Sequence, residues 1–449
     1  MCRLGHSTAA NFDLERVHVR DEDSAVTLPA PIEAAPKSQP NCDVTDIDEP
    51  EREEGHRDLD SSDDQGVIAA ESISIAGDVT IEPTADLTLV AQSSLDVAGW
   101  IKLPDQTAPG AAAINVTLVC FDGPVHVSGI VGGGHAAPGI DGSSTGSSAL
   151  AQGGAGTNGG WVRISARSIR IDGNVAGNAG GRGGNATAAA GGGLQPWHFG
   201  GAVGGAGGRG GDVLLCAVER VELRANGVRV AGGQGGRGGD AAASAKVRGT
   251  AESLGGPGSN GGDATIVGGG PSPLVVVNDG ATFAGRGGGG GTGRAEGGEG
   301  GFFFKPANAE ANGGYAGDGG DVHWVNATPT GGGQIRSAGG AGGYADATGG
   351  KGSDGLIFGG DGADAAATGG KGGVAGDPGG RIGNGGDASA TGGNGGDARF
   401  DHGGWSGEGT AQGGENGLGD SPGPPVIRAP VRWTGRTGGV AAKAYQAGA

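Results

Sequence analysis

The chain has 449 residues, 110 of them glycine, with 4% aromatic residues and a formal net charge of −19. So few large side chains cannot build one broad core, and the excess of acid leaves no basic face for nucleic acid and little attraction to an anionic membrane. No apolar run approaches the ~18 residues of a membrane span.

Residues 1–66 hold 17 Asp or Glu, 6 Lys or Arg and only three glycines. The opening MCRLGHSTAANFDLERV lacks the apolar run and cleavage site of a secretory signal. Polar, acidic and proline-containing stretches follow. Such a segment buries too little apolar surface to order itself, so residues 1–66 read as a disordered acidic leader.

From Val67 the pattern changes. SISIAGDVTI, DLTLVAQSSLDV, GWIKL, INVTLVCF and PVHVSGIV follow one another to about residue 131. These are short runs rich in Val, Ile, Leu and Thr, several of them alternating, which predicts strands. Over residues 132–340 the strands continue but are separated by glycine tracts. WVRISARSIRIDGNVAG and DVLLCAVERVELRANGVRVAG open two matching blocks, and similar openings return near 263 and 321. Blocks starting at 161, 212, 263 and 321 repeat at 51, 51 and 58 residues. A period of that length marks units that pack mainly on their neighbours. Each block offers two or three strands, too few for a propeller blade. The predicted fold is all-β: a single-chain β-solenoid, or parallel β-helix.

The tracts have a grammar of their own. VGGAGGRGGD, AGGQGGRGGD and TGGNGGD repeat Gly-Gly-X. A threefold helix of the polyproline-II type places X on one edge and bare glycine on the other two, so neighbouring helices can approach and exchange N–H···O=C bonds. The excursions are therefore expected to form polyglycine-II-type helices. Over residues 341–420 the strand signals fade into a glycine-rich array, and residues 421–449 read as a proline-containing basic tail or cap. Cys120 and Cys216 lie in apolar runs and are expected to be buried small hydrophobes rather than bridge partners or ligands.

These GGAGG and GGxGGD tracts resemble the glycine-rich domains of the mycobacterial PE-PGRS proteins, and the alternation of strand pairs with glycine tracts looks like large glycine-rich bacterial surface proteins. The resemblance covers roughly residues 130–420; the helical PE module has no counterpart in residues 1–66. It implies a sandwich of threefold glycine helices used as a surface or spacer module, at the cell surface or outside the cell.

Few motifs offer chemistry. GGKGSDGLI (349–357) followed by FGGDGADAA (358–366) is similar to a calcium-binding nonapeptide repeat, with Asp354 and Asp364 as carboxylate ligands to a hard cation. The second unit is offset by ten residues and has Ala where a large apolar residue belongs. RGGN (182–185) and RGGD (209–212, 237–240) set Arg three residues before Asn or Asp, on one edge of a threefold helix. Asp172, Asp212 and Asp263 could lie near one another on successive rungs, as the convergent carboxylates of a polysaccharide lyase or hydrolase would, but their recurrence near strand ends points to turn chemistry instead. Trp197, Phe302, Phe303, Phe304, Trp324, Tyr344 and Trp405 could form a glycan-stacking patch or plug gaps between repeats. GxSxG, Walker and HExxH patterns are missing from the sequence. The sequence points to a non-enzymatic structural or adhesive surface-presenting repeat protein. Its expected partners are cell-surface glycans or further copies of itself, and its cofactor is none or calcium. Ice binding and polysaccharide cleavage are the more distant alternatives; ice binding lacks the regular threonine rows.

Overall fold

The computed structural model describes residues 53–191, 198–224, 228–246, 249–270, 273–300, 306–330, 334–349, 351, 361–373, 384–392, 406–415 and 445–446. Among these the chain is all-β, as expected, and its strands fall into four parallel sheets. That arrangement is compatible with a solenoid.

The first sheet carries the long strands. Gly66–Ile75, Leu87–Val97, Val116–Val127, Val162–Ile171 and Val213–Leu223 stack side by side in sequence order, each a repeat apart. Residue 162 pairs with 213, and 213 with 264. The register shifts midway along these strands, between Ala166 and Ser168. In the next repeat the chain breaks there, into Ala264–Gly268 and Leu274–Asn278, which pair with the two halves of Val213–Leu223.

The second sheet is made of short strands that follow the long ones, including Ile130–Gly132, Asn174–Ala176 and Arg229–Ala231. Inward residues of the two sheets share one core. Leu89, Leu118, Ile164, Leu215 and Ile266 line up across the first sheet, and Ile81, Ile101, Val131, Val175 and Val230 across the second, all essentially buried. Alternation in the sequence places these side chains, because successive residues of a strand face opposite sides. Cys120 belongs to this core as a free thiol, and burial pushes it up to about 11. Cys216 is buried too but is disulfide-bonded, contrary to expectation.

Two further sheets were not legible in the sequence. Ala186–Ala190, Ala241–Ala245, Gly293–Glu296, Ala345–Thr348 and Ala388–Thr391 belong to one. His198–Val203, Gly249–Leu254, Ala309–Asn312, Ala365–Thr368 and Gly409–Gln412 belong to the other. The hydrophobic residues of the second core that they enclose, from Ala149 to Ala411, are all alanine. A full repeat therefore contributes to four sheets. Strands also persist through residues 341–420, where the sequence reading has them fade.

Glycine tracts join the two cores, and their hydrogen bonds repeat every three residues. Gly177, Gly180 and Gly183 donate to the carbonyls of Ala231, Gln234 and Arg237 in the next repeat. Asn178, Gly181 and Gly184 donate to Gly160, Thr157 and Gly154 in the tract that returns from the alanine sheets. Outgoing and returning tracts thus form two facing layers. One line of bonds crosses between them through eleven glycines: Gly154, Gly184, Gly205, Gly239, Gly256, Gly291, Gly314, Gly343, Gly370, Gly386 and Gly414, each donating to the one before at 2.7–2.9 Å. A Cβ built on Gly208 would fall inside the contact shell of the Thr157 carbonyl oxygen, and one on Gly205 inside that of Gly154. Glycine is required at these positions by close approach of backbone to backbone.

The strand region starts earlier than the sequence suggests. Glu53–Leu59, inside the stretch read as leader, pairs in parallel with Gly66–Ile75. It is the edge of the first sheet, and His56, Arg57 and Asp58 give it the charged character that discourages further pairing.

Candidate functional site

The aspartates that recur before strands are joined across repeats. Asp263 N–H donates to Asp212 Oδ1 at 2.7 Å, and Asp321 N–H to Asp263 Oδ1 at 2.9 Å. Earlier in the same column Asn115 N–H donates to Asp86 Oδ1 and Trp161 N–H to Asn115 Oδ1. A second column runs through Asp141, Asn185, Asp240 and Thr292 in the same way, with bonds of 2.6–3.0 Å. Each side chain takes the equivalent backbone N–H one rung on, and from Asp141 and Asp212 onwards it closes the end of a glycine tract. Asp and Asn are therefore used here for their short acceptor reach. Their partners are 29 to 58 residues away, not in a local turn.

The Arg-Gly-Gly motifs work on the same edge. Arg209 donates to Asp212 and to Asp263, both at 2.9 Å. Arg182 donates to Asn185 and Asp240, and Arg237 to Asp240 and Thr292. Each arginine spans its own tract and the next repeat. The i,i+3 spacing predicted the first contact; the second follows from the register. These guanidiniums are partly exposed, and each such pair contributes about 0–1 kcal/mol.

Of the three aspartates considered for catalysis, Asp212 and Asp263 are adjacent, while Asp172 is not with them. Asp172 follows Ile171 at the far end of its strand. It accepts from His126 Nε2 at 2.9 Å and Arg170 Nε at 2.7 Å, and Asp96 lies 3.3 Å from His126 Nδ1. Burial pushes the Asp172 carboxyl up, but the His126 and Arg170 hydrogen bonds outweigh it and hold the group below the usual carboxylate range. On the same face Glu222 is buried between Arg220 and Arg224. These groups pair with and neutralise one another.

Most of the expected calcium motif, residues 350 and 352–360, lies outside the described residues, Asp354 included. Asp364 is described, and its Oδ1 accepts the Glu408 N–H at 2.7 Å, the same tract-closing role as Asp240. Among the described residues the group with metal-ligand geometry is a different one: Asp263, Asp321 and His323, with one donor atom from each within 4.8 Å of the others. Nothing in the sequence singled out His323, because Asp263 lies more than fifty residues before it.

Of the aromatic residues, Trp197, Phe302, Phe303, Phe304 and Trp405 also lie outside the described residues. Trp324 packs against the first core, at the inward position aligned with Ile266. Tyr344 is exposed at the end of a glycine tract. No described helix is long and apolar enough to cross a membrane.

No protein-family model matches the chain, and no curated protein does. Among solved structures it is similar to the nine-helix polyproline type II bundle of an antifreeze protein from the springtail Granisotoma rainieri. Identity is 25%, and the match covers 41% of this chain and 93% of that one, with a TM-score of 0.13. A TM-score that low does not equate the two folds.

Proposed function

We propose that this is a non-catalytic structural protein that presents a surface. Its architecture is read as a β-solenoid whose excursions are threefold, polyglycine-II-type helices stacked in two layers. The observation that carries the reading is the unbroken line of glycine bonds from Gly154 to Gly414. Three-residue periodicity, bare glycine edges and bonds in both lateral directions are what a packed array of such helices requires. The side chains that project from it are Ala206, Arg209 and Asp212 in one tract and Pro257, Asn260 and Asp263 in the next. They are varied and largely paired with one another, which suits a rigid display better than a reaction. The charged residues on this edge also leave no flat, uniform face of the sort an ice surface would match. Adhesion to surface glycans or to further copies is the use such a display would have, and an extracellular or cell-surface setting is where it would serve.

Hydrogen exchange tests the reading. The amides of Gly181, Gly208 and Gly236 are expected to exchange as slowly as those of Ile164 and Leu215. Rapid exchange throughout residues 204–212 and 232–240 would return the tracts to flexible linkers. A parallel assay against a polysaccharide panel is expected to release no new chain ends. Release that is lost in Asp172→Asn would replace the structural reading with an enzymatic one.

A further inference from the structure

Where the long-strand sheet ends, two carboxylates and an imidazole converge. Asp263 and Asp321 hold equivalent places one repeat apart, each just ahead of a strand. His323 follows Asp321 by two residues on Val322–Val325, so strand alternation puts both on the same side. One donor atom from each of the three lies within 4.8 Å of the other two. Asp263 is buried, Asp321 half-buried and His323 exposed, which leaves the group open to solvent on one side.

Two features point to an ion and not merely to a polar surface. His323 Nε2 stands 3.8 Å from Asp321 Oδ2. That is too long for a hydrogen bond, and it is the spacing of two donors that share one ion at bonds of about 2.0–2.2 Å. Among the described residues His323 has no hydrogen-bond partner. Asp263 is also oriented in advance, because Arg209 donates to Oδ2 at 2.9 Å and the Asp321 N–H to Oδ1.

The donor set fixes the class of ion. Two carboxylates match the charge of a divalent cation. An imidazole nitrogen suits zinc, nickel or cobalt, whereas calcium and magnesium take oxygen. We propose that Asp263, Asp321 and His323 bind one divalent transition-metal ion, zinc being the representative, with water completing the coordination. The ion ties the last strand of the sheet to its neighbour. This site is separate from the Asp354 and Asp364 motif and uses a different metal chemistry.

The test uses the full chain, stripped with a chelator and titrated with Zn²⁺ by calorimetry, with Co²⁺ absorption as a second readout. Wild type is expected to bind one ion here and to melt at a higher temperature with zinc. His323→Ala and Asp321→Asn are expected to lose the thermal shift and to weaken binding about tenfold or more. His135→Ala, which removes an exposed histidine paired with Asp105, is expected to behave as wild type. Equal concentrations of Ca²⁺ or Mg²⁺ should leave the melting temperature unchanged. His323 is exposed, so its loss does not threaten folding, and circular dichroism confirms that. No zinc binding by wild type, undiminished binding by both variants, or an equal response to calcium would each overturn the proposal.

Discussion

At the scale of single residues the glycine tracts make two kinds of position, and they differ sharply in what they tolerate. The second glycine of each triplet donates its N–H to the opposite layer and turns its Cα hydrogen towards the neighbouring tract of its own layer. At Gly208 a methyl group would press on the Thr157 carbonyl, and neither strand of backbone can retreat without breaking bonds to Gly181 and Gly236. Gly208→Ala is therefore expected to cost about 1–3 kcal/mol, as overpacking of a filled interior does. Arg209, the next residue, projects outward. Arg209→Ala removes two partly exposed ion pairs and is expected to cost about 1 kcal/mol or less. Denaturant midpoints at constant slope measure both. If Gly208→Ala proved as mild as Arg209→Ala, the close approach of neighbouring tracts would be wrong.

A second residue-scale consequence concerns pH. Glu252 and Glu310 are register partners on neighbouring strands. Burial, and then the charge of Glu310, push Glu252 up to about 7 from the usual 4.5. The folded chain thus holds this proton more tightly than the unfolded chain. Stability is unaffected where both forms are protonated, falls as pH rises from about 4.5 to 7, and stays reduced above that. Glu252→Gln is expected to melt above wild type at pH 8 and level with it at pH 4. Equal melting at both values would mean that Glu252 is solvated.

At the scale of elements the two cores explain which strands the sequence revealed. The long strands were legible because Val, Ile and Leu alternate along them, as in VRISARSIRI. The alanine strands were not. ADAT, AAAT and ASAT carry the same alternation, but alanine is neither a strong strand former nor a hydrophobic signal against a glycine background. Their burial becomes visible only when the partner sheet is in place. The aspartate columns were half-legible: recurrence before strands was plain, but a bond to an equivalent residue 51 positions away follows from register alone. The same holds for His323, which acquires meaning from the distant Asp263.

The first core also contains a local departure from its own rule. Ile81, Ile101, Val131, Val175 and Val230 form one inward column of the short-strand sheet, and the next residue in that column is Thr282. Leu59, Ile75, Val97, Val127, Ile171 and Leu223 lead likewise to Asn278. Both polar residues are buried, and Thr282 Oγ1 and Asn278 Oδ1 have no hydrogen-bond partner. A buried acceptor left unsatisfied costs about 1–3 kcal/mol. Thr282→Val, nearly the same shape, is expected to stabilise the protein by about 1 kcal/mol, seen as a higher denaturant midpoint. A lower midpoint would show that Thr282 holds a bound water worth more than the methyl group.

At the scale of the whole molecule the repeats are the unit of folding, and a deletion can follow their register. Asp263 and Asp321 are equivalent positions 58 residues apart. Excision of residues 264–321 joins Asp263 to Val322 and removes one complete repeat. Val322 then meets Val213, as Ala264 did. Gly343, which donates to Gly314, finds the carbonyl of Gly256 two steps back along the same line. Ala345 meets Ala241, and Ala365 meets Ala251, so the alanine core also closes on itself. These strand columns shorten by one and the glycine line by two, and none of them is broken. In an array stabilised by nearest-neighbour contacts, the shortened chain is expected to unfold cooperatively at a slightly lower temperature, with a denaturant slope reduced in proportion to the surface lost. A deletion of the same region that stops ten residues short shifts every glycine triplet out of phase and should abolish that transition. If both deletions behaved alike, the glycine layers would not be setting the register, and the stacked-helix reading of the tracts would fall with them.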